Sequence, residues 1–298
     1  MNRIPVGRTI AFAYAYVFHH IGAVVSVSWL PAIVFAIADA VMRLFPNETG
    51  PADELAAAPG RSVASLIAIV FVVIAQSTVA VSITRQVLGQ RATGLAAQFA
   101  LDRTGLRMVA ANFRYFLGGG VLAVFAVLIS TFAFWLAGVP LDMPEAAQAS
   151  IASLIAVVLS LSLFGYVAVT LVRMGFFLNG VVVAEEKSGL KRSHDLAIGN
   201  LWRMVAVLAA LMLPVTLLRV AAPFAALDAD ILSQEDAGAA MQLDEVAIRQ
   251  QIVPWEIFNA LLFVVGSGLL YSGLAYAYRR VALETPEATP SPPVSGSR

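Results

Sequence analysis

Few side chains in this chain carry the chemistry that catalysis or metal binding needs, and their spacing narrows them further. His19 and His20 are neighbours, so on a helix their rings point about 100° apart and cannot ligate one ion together. The remaining histidine, His194, lies far along the chain. A third ligand would have to come from yet another segment, and a place at the lipid headgroup boundary explains these rings more simply. His194 and Asp195 suggest an acid–base pair, yet successive helical residues diverge in the same way. With no cysteine, disulfides, thiolate metal sites, iron–sulfur clusters and a cysteine nucleophile are all excluded. No nucleophile stands beside its base. The expectation is a chain that is not an enzyme, with no catalytic residues, metal or cofactor.

The remaining charged groups read as structural. Glu185 and Glu186 come just before Lys187, Lys191 and Arg192 at a turn containing Gly189, where opposite charges steady the start of the next helix. Asp39 and Arg43 are spaced i, i+4 and pair as their helix leaves lipid. Arg219 stands alone in an apolar stretch, 16 residues beyond Arg203, about 24 Å along a helix. Snorkelling to the far interface is its simplest role. The alternative is contact with an anionic headgroup or substrate inside a bundle.

The elements that hold these residues are membrane helices. Hydrophobic residues make up 59% of the 298 and charged residues only 13%, against about 25% charged in soluble domains. Apolar stretches run over Ile21 to Ala38, Ser62 to Thr84, Tyr115 to Gly138, Ile151 to Val172, Met204 to Leu227 and Ile257 to Tyr278. Each is near the ~20 residues that cross about 30 Å of hydrocarbon. All but the fifth, which holds Arg219, are free of Asp, Glu, Lys and Arg, as a cost of at least ~2.5 kcal/mol per central charge demands. With the apolar run from Ile10, the first stretch is too long for a cleaved signal core and is read as retained. The fold class is therefore all-α integral membrane, with a single six-span domain over residues 1–284.

The zero net charge conceals a segregation of sign. Arg3, Arg8, Arg85, Arg91, Arg103, Arg107, Arg114, Arg173, Lys187, Lys191, Arg192, Arg203, Arg279, Arg280 and Arg298 fall on the side of the termini, while only Arg43, Arg61, Arg219 and Arg249 fall opposite. Acidic residues such as Asp142, Asp228, Glu235 and Asp244 lie in the opposite loops. The positive-inside bias then puts both termini in the cytoplasm of a bacterial inner membrane, and this pattern argues against nucleic acid as a partner. In the last outer loop Met241, Glu245 and Ile248 share a helical face, as a short interfacial helix would require. The Pro-, Ser- and Gly-rich tail 285–298 is expected to be disordered.

One pattern recurs. Arg8-Thr9, Arg103-Thr104 and Arg192-Ser193 are followed at fixed offsets by Ala15, Ala110 or Gly199, then by Phe18-His19, Phe113-Arg114 or Trp202-Arg203. Each copy precedes an odd-numbered span, so the chain reads as three repeated hairpins, about 8–90, 103–187 and 192–280, each preceded by an amphipathic cytoplasmic segment. In the second copy Leu106, Val109, Ala110 and Phe113 share one face while Arg103, Arg107 and Arg114 line its neighbour. In the third, Leu190, Ala197 and Leu201 oppose Lys191, Arg192 and Asp195. Such segments suit the membrane boundary, where each cation adds about 1 kcal/mol at an anionic surface. Equally, they can be the ends of tilted helices.

The stretch Arg173-Met-Gly-Phe-Phe, Val181-Val-Val-Ala-Glu185-Glu186, Leu190-Lys-Arg192-Ser193-His-Asp-Leu196 and Gly199-Asn-Leu-Trp202-Arg203 resembles the bacterial membrane-domain family named after glycerophosphoryl diester phosphodiesterases. The likeness covers about forty residues and departs at His194, where an aromatic is usual. It implies the stand-alone membrane domain rather than the enzyme, because a catalytic barrel needs about 250 further residues and no stretch of that length lies outside the spans.

The function these observations suggest is that of a multi-pass membrane protein without catalysis, engaging anionic phospholipid headgroups or a membrane protein partner through Arg103, Arg107, Arg114, Lys191, Arg192 and Arg203, with a role in envelope organisation. The alternative is a transporter or flippase of an amphipathic solute, suggested by the repeats, Arg219 and Pro214, whose ring frees a backbone carbonyl in the fifth span. Gln76, Ser77, Thr78 and Ser82, Gly118 to Gly120, and Gly266 to Gly268 read as packing surfaces between helices.

Overall fold

The computed structural model describes residues 3–44, 54–90, 102–136, 151–186, 189–226 and 245–283, and within them the side chains of all but 39–44, 54–66, 151–152, 222–226 and 245–254. Among the described residues the chain is about 92% helical, with no strand. In order, the helices are α1 (Val6–His19), α2 (Ile21–Leu44), α3 (Glu54–Val87), α4 (Arg103–Leu136), α5 (Ile151–Phe176), α6 (Leu178–Ala184), α7 (Leu190–Ala197), α8 (Leu201–Ala226) and α9 (Glu245–Tyr278), with a π-helical turn over Arg279–Leu283. Six stretches are long and apolar enough to cross a membrane: Ile21–Ala38, Ile67–Val87, Arg103–Leu136, Ser153–Ala184, Leu201–Ala221 and Trp255–Leu283. This is an all-α, multi-pass membrane protein.

The consecutive pairs α2 and α3, α4 and α5, and α8 and α9 each pack on one another. The segments ahead of them are not alike. Before α2, the chain breaks at His20, where the imidazole Nδ1 atoms of His19 and His20 sit 2.7 and 3.2 Å from the carbonyls of Ala15 and Tyr16. The Tyr16 carbonyl also accepts the His20 N–H at 2.9 Å, so the His20 ring is its second partner at the helix end. Before α8, the break falls at Ile198 to Asn200, where Ile198 is extended and Gly199 takes φ +78°, a left-handed conformation that glycine adopts without a Cβ clash. Ahead of the third span there is no break, since α4 runs unbroken over 34 residues. At 1.5 Å per residue that is about 51 Å, so its first turns stand beyond the hydrocarbon or the helix tilts.

Helix α1 does not stand apart from the bundle. Thr9, Ala13, Tyr16 and Val17 are buried, Phe12 stacks on Tyr276 at 4.4 Å, and the Tyr14 hydroxyl donates to the carbonyl of Ala210 on α8. Helix α9 is the hub, touching α1, α2, α3, α6 and α8. Close approach needs small residues here: a Cβ on Gly273 would collide with Leu211 of α8.

Burial separates interior spans from lipid-facing ones. The second and sixth spans are 50% buried, the third, fourth and fifth only 17%. Phe116, Val124, Phe125, Leu154 and Leu161 are among the large apolar side chains left exposed, a surface that only lipid or another apolar partner covers without cost.

The short helix α6 is the keystone at the basic end. Leu178 to Val183 are all buried, against α3, α4, α5, α7 and α9. It is separated from α5 by an insertion into the hydrogen-bond ladder: the Phe177 N–H donates to Ser193 Oγ (3.2 Å), and the Ser193 hydroxyl donates in turn to the Arg173 carbonyl (3.3 Å). Arg173 and Phe177 are i and i+4, so the serine of α7 takes the place of one helical bond, a recognised cause of helix breaks. Gly180 then meets Tyr278 so closely that any Cβ would overlap that side chain at its root.

Several expected features lie outside the described residues: the turn around Pro140 and Pro144, Arg91, Lys187, most of the last outer loop with Met241, and the tail 285–298. The side chains of Asp39, Arg43, Glu245 and Ile248 do so too.

Candidate functional site

Polar groups gather at two places, one at each end of the bundle. At the end that holds Arg85, Arg107 and Arg192, three ion pairs tie successive elements together. Arg85, at the end of α3, contacts Asp102 at 2.6 Å. Asp102 also caps α4, accepting the Gly105 N–H at 2.7 Å. Burial opposes ionisation of this carboxylate, but the Gly105 N–H, the Arg85 guanidinium and the Thr104 N–H outweigh it and hold its pKa below the usual carboxylate value.

Arg107 on α4 contacts Glu186 at 3.0 Å, with Glu186 itself at φ 53°, an uncommon left-handed conformation for a non-glycine residue. Arg192 on α7 contacts Glu185 at 3.1 Å, and Glu185 also accepts the Tyr278 hydroxyl at 3.1 Å. One carboxylate thus joins α6, α7 and α9. Asn200 accepts the Ile4 N–H at 3.1 Å, tying the chain start to the loop before α8.

The six basic residues singled out from the sequence therefore divide. Arg107 and Arg192 are taken by carboxylates. Arg103 and Lys191 are exposed and Arg203 is half-buried, and none of the three makes an ion pair among the described residues. Arg114 is exposed three turns along α4. His19 and His20 serve the end of α1, while His194 lies 3.9 Å from Asp195, too far for a hydrogen bond. No group of three His, Asp or Glu residues suited to a metal occurs among the described residues.

At the opposite end a cleft of about 230 Å³ opens between α2, α3, α8 and α9. Met212, Val215 and Arg219 line it from α8, at the i, i+3, i+7 spacing of one helical face. From α9 come Asn259, Phe263, Gly266 and Ser267, again on one face, and Gln76 of α3 closes the side. Asn259 is 2% exposed, and neither its amide nitrogen nor its amide oxygen has a hydrogen-bond partner among the described residues. Such an orphaned amide costs roughly 1–3 kcal/mol. The Arg219 side chain is exposed at the same cleft.

A second, larger concavity, about 480 Å³, is lined by Phe116, Leu117, Gly120, Val121, Val124 and Phe125 of α4 alone. It has no polar side chain to orient a ligand.

Comparison of the chain with protein-family models, with curated proteins and with solved structures finds no match in any of the three.

Asn259 was not legible as a site residue. Its one signal is that an amide stands in an otherwise apolar sixth span. Glu256 escaped for a different reason: the apolar stretch begins at Trp255 rather than Ile257, which brings this carboxylate, 8% exposed, inside the span. Gln76, taken as a packing residue, lines the cleft.

Proposed function

We propose that the chain is a non-enzymatic protein of the bacterial inner membrane, with both termini cytoplasmic, whose basic end binds anionic phospholipid headgroups and helps organise the envelope. One observation carries the reading. Arg103, Lys191 and Arg203 make no ion pair among the described residues, at an end where Arg85, Arg107 and Arg192 are each held by an acid. Exposed cations at a membrane boundary gain about 1 kcal/mol each from anionic lipid, whereas paired ones gain little. Arg3 and Arg8, also exposed, extend the same rim. The three Arg-hydroxyl units are read as copies of one ancestral hairpin, with Thr9 and Ser193 buried at equivalent positions. The likeness between residues 173 and 213 and the stand-alone membrane domain supports a role without hydrolysis.

The test is the anionic phospholipid that copurifies with the protein. The triple variant R103Q/K191Q/R203Q loses headgroup-bound lipid at low salt, while R107Q/R192Q changes it little. Equal lipid in the first variant removes the lipid reading and leaves a membrane protein partner at the rim. Reporter fusions at the two ends check orientation, and reporters on opposite faces would overturn it.

A carrier or flippase for an amphipathic solute is the second reading, favoured by the Arg219 cleft. Lipid scrambling in proteoliposomes that ignores Arg219→Ala strips this reading of its residue.

A further inference from the structure

Four features of the far cleft belong together. It holds a guanidinium, Arg219, that makes no ion pair among the described residues. The same cleft is lined by a buried amide, Asn259, with both polar atoms unpartnered among those residues. The cleft is long and narrow, since its α9 lining runs from Asn259 to Tyr271, about 18 Å of helix. Away from those two groups the lining is mostly apolar, with Phe35, Met212, Val215 and Leu270 along the walls.

We infer that this cleft is a specific binding site for one anionic phospholipid, its phosphate on Arg219 and Asn259 and one acyl chain lying along Phe263, Gly266 and Leu270. A guanidinium and an amide N–H donor suit a phosphate, and a charge-assisted hydrogen bond is roughly twice as strong as a neutral one. The dimensions suit a chain and not a whole solute. A volume of about 230 Å³ is below the ~300–1,000 Å³ of sites that enclose a small molecule, so the rest of the ligand stays in the bilayer, toward which exposed Leu217, Leu218 and Val220 of α8 turn. Gly266 provides the groove, because a Cβ there would stand 3.3 Å from Val215 and a longer side chain would fill the space. The buried Glu256 carboxylate, one turn away from Asn259, does not line the cleft. This site is independent of the rim: it lies at the other end of α8 and α9 and includes the buried amide of Asn259.

The experiment counts lipids. Protein is reconstituted with phosphatidylglycerol and phosphatidylcholine, extracted in detergent, washed at about 1 M salt, where the ~3 Å screening length strips rim-bound headgroups, and examined by native mass spectrometry. Wild type retains one phosphatidylglycerol per chain. R219Q and N259L lower its occupancy roughly tenfold, and G266L abolishes it without removing a charge or a polar group. The rim variant R103Q/K191Q/R203Q retains the lipid, which separates this site from the proposed function. Each variant is first shown to keep its helical content and monodispersity. Retention in R219Q and G266L overturns the inference. So does equal retention of phosphatidylcholine, and so does displacement by millimolar inorganic phosphate, which would make the site one for a free anion.

Discussion

A buried amide at one end of the bundle is treated differently from the acids and the serine at the other. At the basic end, Glu185 satisfies Arg192 and Tyr278, Asp102 satisfies Arg85 and the start of α4, and Ser193 bridges a broken helical bond. At the far end, Asn259 is buried with nothing to bond among the described residues, beside Arg219. A paired polar group has its free energy returned within the fold and reads as architecture. An orphaned one carries a desolvation cost that a ligand can relieve. Sequence composition does not separate the two kinds, since both are isolated polar residues beside long apolar runs.

The sharpest way to break this contrast is at Gly180. Gly180→Leu forces a side chain into the root of Tyr278 and is expected to lower stability by about 3 kcal/mol, the upper range of overpacking, measured by thermal unfolding in detergent. Glu185→Ala removes the acceptor shared by Arg192 and Tyr278 and is expected to cost about 1–2 kcal/mol; Glu185→Gln, which keeps an acceptor for the tyrosine, costs less.

At the other end the sign reverses. Asn259→Leu, close in size, is expected to stabilise delipidated protein by about 1 kcal/mol, because an unsatisfied amide is replaced by an apolar group. A destabilised Asn259→Leu protein would show that the amide has a structural partner and would erase the contrast.

Smaller effects sharpen it. Asp102→Ala is expected to cost about 1 kcal/mol through loss of the α4 cap. Because the folded-state pKa of Asp102 is lowered, its contribution is full above the pKa of the unfolded carboxyl and is lost as pH falls through the folded value. Thermal unfolding of wild type should accordingly lose stability on acidification more steeply than Asp102→Ala. The exposed Arg107 and Glu186 pair, with Glu186 at 71% side-chain exposure, should contribute under about 0.5 kcal/mol in a double-mutant cycle and less at high salt.

How much could be read beforehand varies by element. The first span was expected over Ile21 to Ala38 and occurs there, because uninterrupted apolar length is a local property of the chain. The third span begins near Arg103 rather than Tyr115, since nothing between Arg103 and Tyr115 breaks the helix and hydropathy alone does not mark where a helix starts. The expected steadying role of the two glutamates is found for Glu185, on Arg192, but its bond to Tyr278 joins positions 93 residues apart and had no local signal. The Arg-Ser pair of the third repeat stood out by spacing. That Ser193 would insert into another helix's ladder was not readable from it.

Membrane residence, the number of spans and their approximate positions follow from the chain alone, because the cost of charge and unpaired backbone in hydrocarbon acts on each segment separately. Which arginines are neutralised by acids follows from the packing of α3, α4, α6 and α7, and that Arg219 shares a cleft with Asn259 follows from the packing of α8 and α9. Except for Glu185 and Arg192, those residues are well separated along the chain, and the energies depend on distances of a few ångströms that only the folded bundle sets.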